Sequence, residues 1–256
     1  MYRSFNLTLD QGDLADVYAH SWDSSPMRNS ARSDLLKHLK GGQLDAEALE
    51  NDWFGSVNAN VFISHSHADL GVATKLAKLL EEEFKLTPFI DSHVWGYADE
   101  LLLEIDNTFC MNEGGQTYSY QLRNRSTSHV HLMLAAALTK MIDKCELVIF
   151  LNTENSILPK NFARNSSEAT GSPWIYSELN ATKFLRKRRP TRLALESYQT
   201  KRAAQDSVSA EALPVFAYAA PLAHLTPFSA REFHSWKRQG LKGNHSLDYL
   251  YDRFPE

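Results

Sequence analysis

The stretch that decides the fold is Asn60-Val61-Phe62-Ile63-Ser64-His65-Ser66-His67-Ala68-Asp69. Three apolar residues of the kind strands favour run straight into hydroxyl, imidazole and carboxylate groups. A buried strand is therefore expected to end here in a polar loop. Residues 70–84 follow with Val72, Leu76, Leu79, Leu80 and Phe84 at helical spacing. Strand, short polar loop and helix make the first half of a βαβ unit, which predicts an α/β fold. Ligands of such sheets sit beyond the carboxyl ends of the strands, so Ser64, His65 and Ser66 stand where a binding site is expected.

Working outward, residues 86–91 read as a second short strand, with Pro88 near its start, where a missing donor does least harm. Asp91 falls at its end. A loop over 92–96 holds His93, Trp95 and Gly96, and 98–105 suits a helical turn. Residues 107–128 are polar and irregular, with Gly114-Gly115 and Asn124-Arg125-Ser126-Thr127-Ser128, and read as an inserted loop or lid. Leu134, Leu138, Met141 and Ile142 place a helix over 129–144. Leu147-Val148-Ile149-Phe150-Leu151 is apolar throughout and too short for a helix, which predicts a central parallel strand buried on both faces.

Beyond the polar loop 152–171, Ser172-Pro173-Trp174-Ile175-Tyr176-Ser177-Glu178-Leu179 opens a helix. Serine suits the cap, and proline at the first helical position loses no hydrogen bond. Trp174 and Glu178, four apart, share a face. The helix is expected to run through Arg186-Lys187-Arg188-Arg189, where positive charge suits a solvated helix end, and to stop before Pro190. Residues 190–212 read as a polar, partly helical insert, 213–219 as another strand, and 221–256 as a C-terminal extension packing on the domain, with a helix at 230–238. Residues 1–57 read as a helical N-terminal extension with short helices at 14–20, 31–39 and 45–51, the last capped by Asp45.

The 256 residues, 43% hydrophobic and 23% charged, suit a soluble globular chain with a well-covered core. A net charge of -4 and a pI near 6.2 give no general case for a nucleic-acid or membrane partner. No apolar run approaches the roughly 20 residues that span a bilayer, and no secretory leader is evident. A cytoplasmic location is the expectation. Cys110 and Cys145 are too few for a disulfide framework and read as reduced and structural. His65 and His67 lack a third ligand at diagnostic spacing, so no metal is expected. Ser64 and His65 are adjacent on a strand and point to opposite faces, which argues against a nucleophile pair.

Phe62-Ile63-Ser64-His65-Ser66 with Asp69, then Phe89-Ile90-Asp91, then the strand at 147–151, then Trp174-x-x-x-Glu178-Leu179 together resemble a Toll/interleukin-1 receptor (TIR) domain over residues 58–220. The resemblance implies a flavodoxin-like three-layer domain with a central parallel sheet of about five strands. Many bacterial and plant members cleave NAD at the nicotinamide–ribose bond, and their catalytic glutamate maps onto Glu178. A free-standing protein of this kind resembles the signal-making component of antiphage defence. That component turns NAD into an ADP-ribose-type messenger for a separate effector. NAD is then the substrate, and no cofactor is implied.

The chemistry suits the assignment. Breaking an N-glycosidic bond builds positive charge on the ribose, which a carboxylate stabilises. Trp174 offers a face for ring stacking, while Ser64, His65, Ser66, Asp91 and Trp95 are candidate substrate contacts. A Trp and a Glu at this spacing are also commonly a packing residue and a solvated charge. The competing expectation is a non-catalytic interaction module that self-associates with other TIR domains. The loop after the second strand, which mediates assembly in many members, carries Gly96 preceded by Trp95 in place of the usual proline-glycine pair.

Overall fold

A computed structural model describes residues 1–9, 12–14, 17, 22, 35–95, 98–159, 168–193 and 217–255. A five-stranded parallel sheet forms its centre, and the chain enters that sheet at once. In β1 (Arg3–Thr8), Phe5 and Leu7 point to one face and Ser4 and Asn6 to the other, the two-residue period of a strand. The helical extension expected over 1–57 is therefore corrected: its first segment is an interior strand.

A hairpin of β2 (Leu39–Lys40) and β3 (Gln43–Leu44) follows, then α1 (Ala46–Phe54). The Asp45 carboxylate caps α1, accepting from the Ala48 N–H at 3.1 Å. The helix expected at 14–20 lies largely outside the described residues, and of that expected at 31–39 the described part, 35–39, is a 3-10 turn running into β2 rather than an α-helix. The described 3-10 turns here are Gly12–Leu14 and Leu35–His38.

The deciding stretch forms β4 (Val61–Ser64), buried at every position, and leads into α2 (Leu70–Glu82). Next come β5 (Pro88–Phe89), α3 (Asp91–Val94), α4 (Ala98–Phe109) and α5 (Tyr120–Lys144). The irregular insert expected over 107–128 is corrected to residues 110–119. Ser119 caps α5 by accepting from the Leu122 N–H, and the first turns of the helix are polar because most of their residues face solvent. The Asp106 carboxylate of α4 anchors them, accepting from Arg123 Nε at 2.7 Å and Ser126 Oγ at 2.6 Å.

The last part of the chain comprises β6 (Leu147–Leu151), β7 (Ala169–Thr170), α6 (Pro173–Phe184), β8 (Tyr218–Ala219), β9 (Thr226–Ser229), α7 (Ala230–Lys237) and α8 (Asn244–Arg253). β6 is buried at all five positions, as a central strand should be. Helix α6 stops at Phe184, so the basic run 186–189 lies beyond it. Arg188 there pairs with Asp143, and its backbone N–H donates to the Met1 carbonyl. The strand expected at 213–219 falls outside the described residues up to 216. Its described end, β8, pairs antiparallel with β7 away from the main sheet. The fifth strand is instead β9, in the stretch read as a C-terminal extension. Its Pro227 is tolerated because β9 is an edge strand. Most of the insert 190–212 lies outside the described residues.

Alternation sorts the two faces. Phe5, Leu7, Val61, Ile63, Leu147, Ile149 and Leu151 pack against α2, α7 and α8. Phe62 and Val148 pack against α1, α4 and α5, and Phe150 against α6. The result is a three-layer α/β fold with strand order β5-β4-β6-β1-β9. In a flavodoxin-like order of 2-1-3-4-5, β5, β4 and β6 occupy the first three places. The N-terminal β1 fills the fourth place and β9 the fifth.

Candidate functional site

The connection leaving β4 passes through α2 on one face of the sheet, whereas that leaving β6 passes to α6 on the other. Neighbouring strands whose connections diverge open a crevice at their carboxyl ends. Ser64 is the last residue of β4, and its side chain points with Phe62 toward the α6 layer. Helix α6 starts where the sequence says: Ser172 Oγ accepts from the Ile175 N–H and Pro173 takes the first position. Its buried stripe is Ile175, Glu178, Leu179 and Thr182. A glutamate in such a stripe is unusual, because unpaired carboxylates avoid the interior.

Glu178 has a partner. Ser64 Oγ donates to Glu178 Oε2 at 2.5 Å, joining residues 114 positions apart, and the two are 2% and 5% exposed. Burial pushes the Glu178 carboxyl well above its ordinary value, and the negative field of Asp91 pushes it the same way. The Ser64 hydrogen bond opposes both. His65, half-buried, is held below its ordinary value chiefly by burial. Asp91, the hydrogen bond to the Ile63 carbonyl and Asp69 act against that burial. Asp91 is thus the charged group that acts on both the imidazole and the buried carboxyl.

Asp91 begins α3 and interacts electrostatically with both Glu178 and His65. Ser66 precedes the 3-10 turn His67–Asp69 and is half-buried, with no side-chain capping bond. Trp174 lies one turn before Glu178, half-buried, and meets the His131 ring of α5 edge-on at 5.3 Å. Trp95 is a correction. It is 3% exposed, its Nε1 donates to the Gly55 carbonyl at 3.0 Å, and its ring packs on Phe54 and Phe89. It belongs to the hydrophobic core because the turn of α3 directs it inward. Gly96 lies outside the described residues.

Asp69, part of the first motif but not of the candidate contacts, is a further component of the site. Asp69 stands at the N-cap of α2 yet makes no capping bond. Its buried carboxylate instead accepts from Thr153 Oγ1 at 2.5 Å and Asn155 Nδ2 at 2.7 Å. A capping bond worth about 0.5–2 kcal/mol is given up to tie the loop after β6 to the loop after β4. Polar residues placed just past the apolar β6 were the available signal. Among the described residues no group of three or more His, Cys, Asp or Glu is placed to hold a metal ion, and no helix is long and apolar enough to cross a membrane.

Compared with family models, curated proteins and solved structures, the chain matches none.

Proposed function

We propose that this protein is a TIR-type enzyme that cleaves NAD at the nicotinamide–ribose bond, with Glu178 as its catalytic carboxylate. The observation that carries the reading is the Ser64–Glu178 hydrogen bond at the crevice beyond β4 and β6. It brings the first and last of the separated motifs into contact, with Asp91 of a third close enough to act on the glutamate.

The chemistry balances without a co-reactant other than water. The bond between the pyridinium nitrogen and ribose C1′ breaks, and its electron pair neutralises the ring. Water then adds to the oxocarbenium carbon and loses a proton, leaving nicotinamide and ADP-ribose. Attack by another atom of the same molecule gives a cyclic isomer instead. A buried carboxyl held toward its neutral form suits this substrate, because a cationic ring entering the crevice draws it to the carboxylate. The carboxylate then stabilises the positive charge that develops on the ribose. The His65 imidazole and the Ser66 hydroxyl supply hydrogen bonds for ribose or phosphate oxygens, and Trp174 a face for a ring. The product serves as a messenger for a separate nucleotide-sensing effector, in a cytoplasmic antiphage response.

Purified protein incubated with NAD, over concentrations that span self-association, releases nicotinamide, and mass spectrometry finds linear or cyclic ADP-ribose. No product at any concentration overturns the reading.

The burial of Glu178 favours a second reading. At 5% exposure and with Ser64 on one carboxyl oxygen, the residue meets a substrate only after neighbouring groups move. In a non-catalytic TIR module that signals by homotypic assembly, the pair ties α6 to β4 and does no chemistry. That reading predicts concentration-dependent assembly without turnover.

A further inference from the structure

On the sheet face opposite Glu178, a groove of about 540 Å³ runs between α7 and α8 beside the edge strand β9. Arg231 and Ser235 line it from α7, Arg238 from the C-cap of that helix, and Tyr249 and Arg253 from α8. The spacing is regular. Positions 231 and 235 are one turn apart on α7, the C-cap residue 238 continues the same face, and 249 and 253 are one turn apart on α8. Two facing helices ordinarily close on apolar residues; here the mouth of the groove is cationic above a floor of Trp236 and Leu250.

None of the three arginines forms an ion pair among the described residues. The acid in the groove, Glu232, is shared: its carboxylate accepts from both the backbone N–H and the hydroxyl of Ser229 in a capping box, and it also feels the charges of Arg231 and Arg253. Three arginines line the cavity against the one carboxylate of Glu232, which offsets only part of their mutual repulsion. An anion would remove that repulsion and accept charge-assisted hydrogen bonds from the guanidinium forks.

We propose that the groove between α7 and α8 is a binding site for a phosphate-bearing nucleotide, held by Arg231, Arg238 and Arg253 through its phosphates and by Tyr249 through its base. Its volume falls within the roughly 300–1,000 Å³ typical of small-molecule sites. The half-buried Tyr249 ring supplies a flat apolar surface that inorganic phosphate would not use. A long polyanion fits the surroundings less well, because the whole chain carries -4 and Asp248 and Asp252 flank the groove on α8.

ADP titrated into the full chain by calorimetry tests the assignment, with adenosine and inorganic phosphate as separate arms. ADP binds, and each fragment binds at least about ten-fold more weakly, since charge-assisted contacts and stacking act together. The triple variant Arg231→Gln, Arg238→Gln, Arg253→Gln keeps its far-ultraviolet circular dichroism, because all three side chains are exposed, and loses ADP binding. Tyr249→Ala weakens ADP without changing phosphate. The crevice lies on the other face of the sheet, so loss of ADP binding in the triple variant assigns that binding to this groove. The assignment is overturned by absence of ADP binding, by equal affinity in the triple variant, or by oligonucleotide affinity that rises with length.

Discussion

Replacing Ser64 by Ala and Glu178 by Gln, singly and together, isolates the contact on which the site is built. The hydrogen bond is 2.5 Å long between two buried groups, at the short end for O–H···O bonds to a carboxyl. Ser64→Ala leaves the acid unpartnered on that oxygen, which costs about 1–3 kcal/mol. Glu178→Gln acts differently. The folded carboxyl titrates well above its ordinary 4.5, so the folded state holds its proton more tightly than the unfolded chain does. Its favourable contribution is complete below the unfolded value and is lost as pH rises toward the folded one. Glutamine has no proton to lose, so the stability of Glu178→Gln relative to the natural protein should grow with pH. Urea unfolding at about pH 4 and about pH 8 reads both effects through the transition midpoint. The double variant should reveal a coupling of about 0.5–3 kcal/mol. Additive single effects, or a Glu178→Gln advantage that does not change with pH, would refute the geometry described for the crevice.

Phe5→Ala should destabilise the fold by about 3–5 kcal/mol, because Phe5 is fully buried on interior β1; a loss below about 1 kcal/mol, the order of a typical surface change, would mean that residues 3–8 are an appendage. Asp69→Ala removes the acceptor shared by Thr153 and Asn155, so limited proteolysis should cut faster near residues 152–156, and an unchanged rate would show that the tie is dispensable. Burial pushes the Cys145 thiol up to about 12, so native protein near neutral pH should resist thiol reagents at this position, and rapid modification without urea would contradict its placement.

The elements legible in the sequence are those whose burial pattern is unambiguous. β6 is apolar on both faces, and α2 and α6 carry both a stripe and a start signal. β1 was missed although Phe5, Leu7 and Leu9 alternate with Ser4, Asn6 and Thr8, because a strand that precedes its sheet partners by more than a hundred residues leaves no local sign of where it pairs. β9 was hidden by Pro227, which reads as a breaker until the strand is known to lie at an edge. The first turns of α5 looked like loop because polarity on every side is also what an exposed helix shows. At the site, Ser64 and Glu178 were legible as separate residues, and their contact followed only from the order of the motifs. Trp95 was misassigned because nothing in its neighbours marks a loop side chain as turning inward. Asp69 was legible as a polar residue after a strand, but its bonds to Thr153 and Asn155 depend on how two loops meet.

The measurement that bears most directly on the account is nicotinamide release from NAD by the natural protein and by Glu178→Gln, compared at equal concentration with folding verified by circular dichroism. The account predicts release by the first and none above background by the second. Equal rates from the two proteins would contradict it.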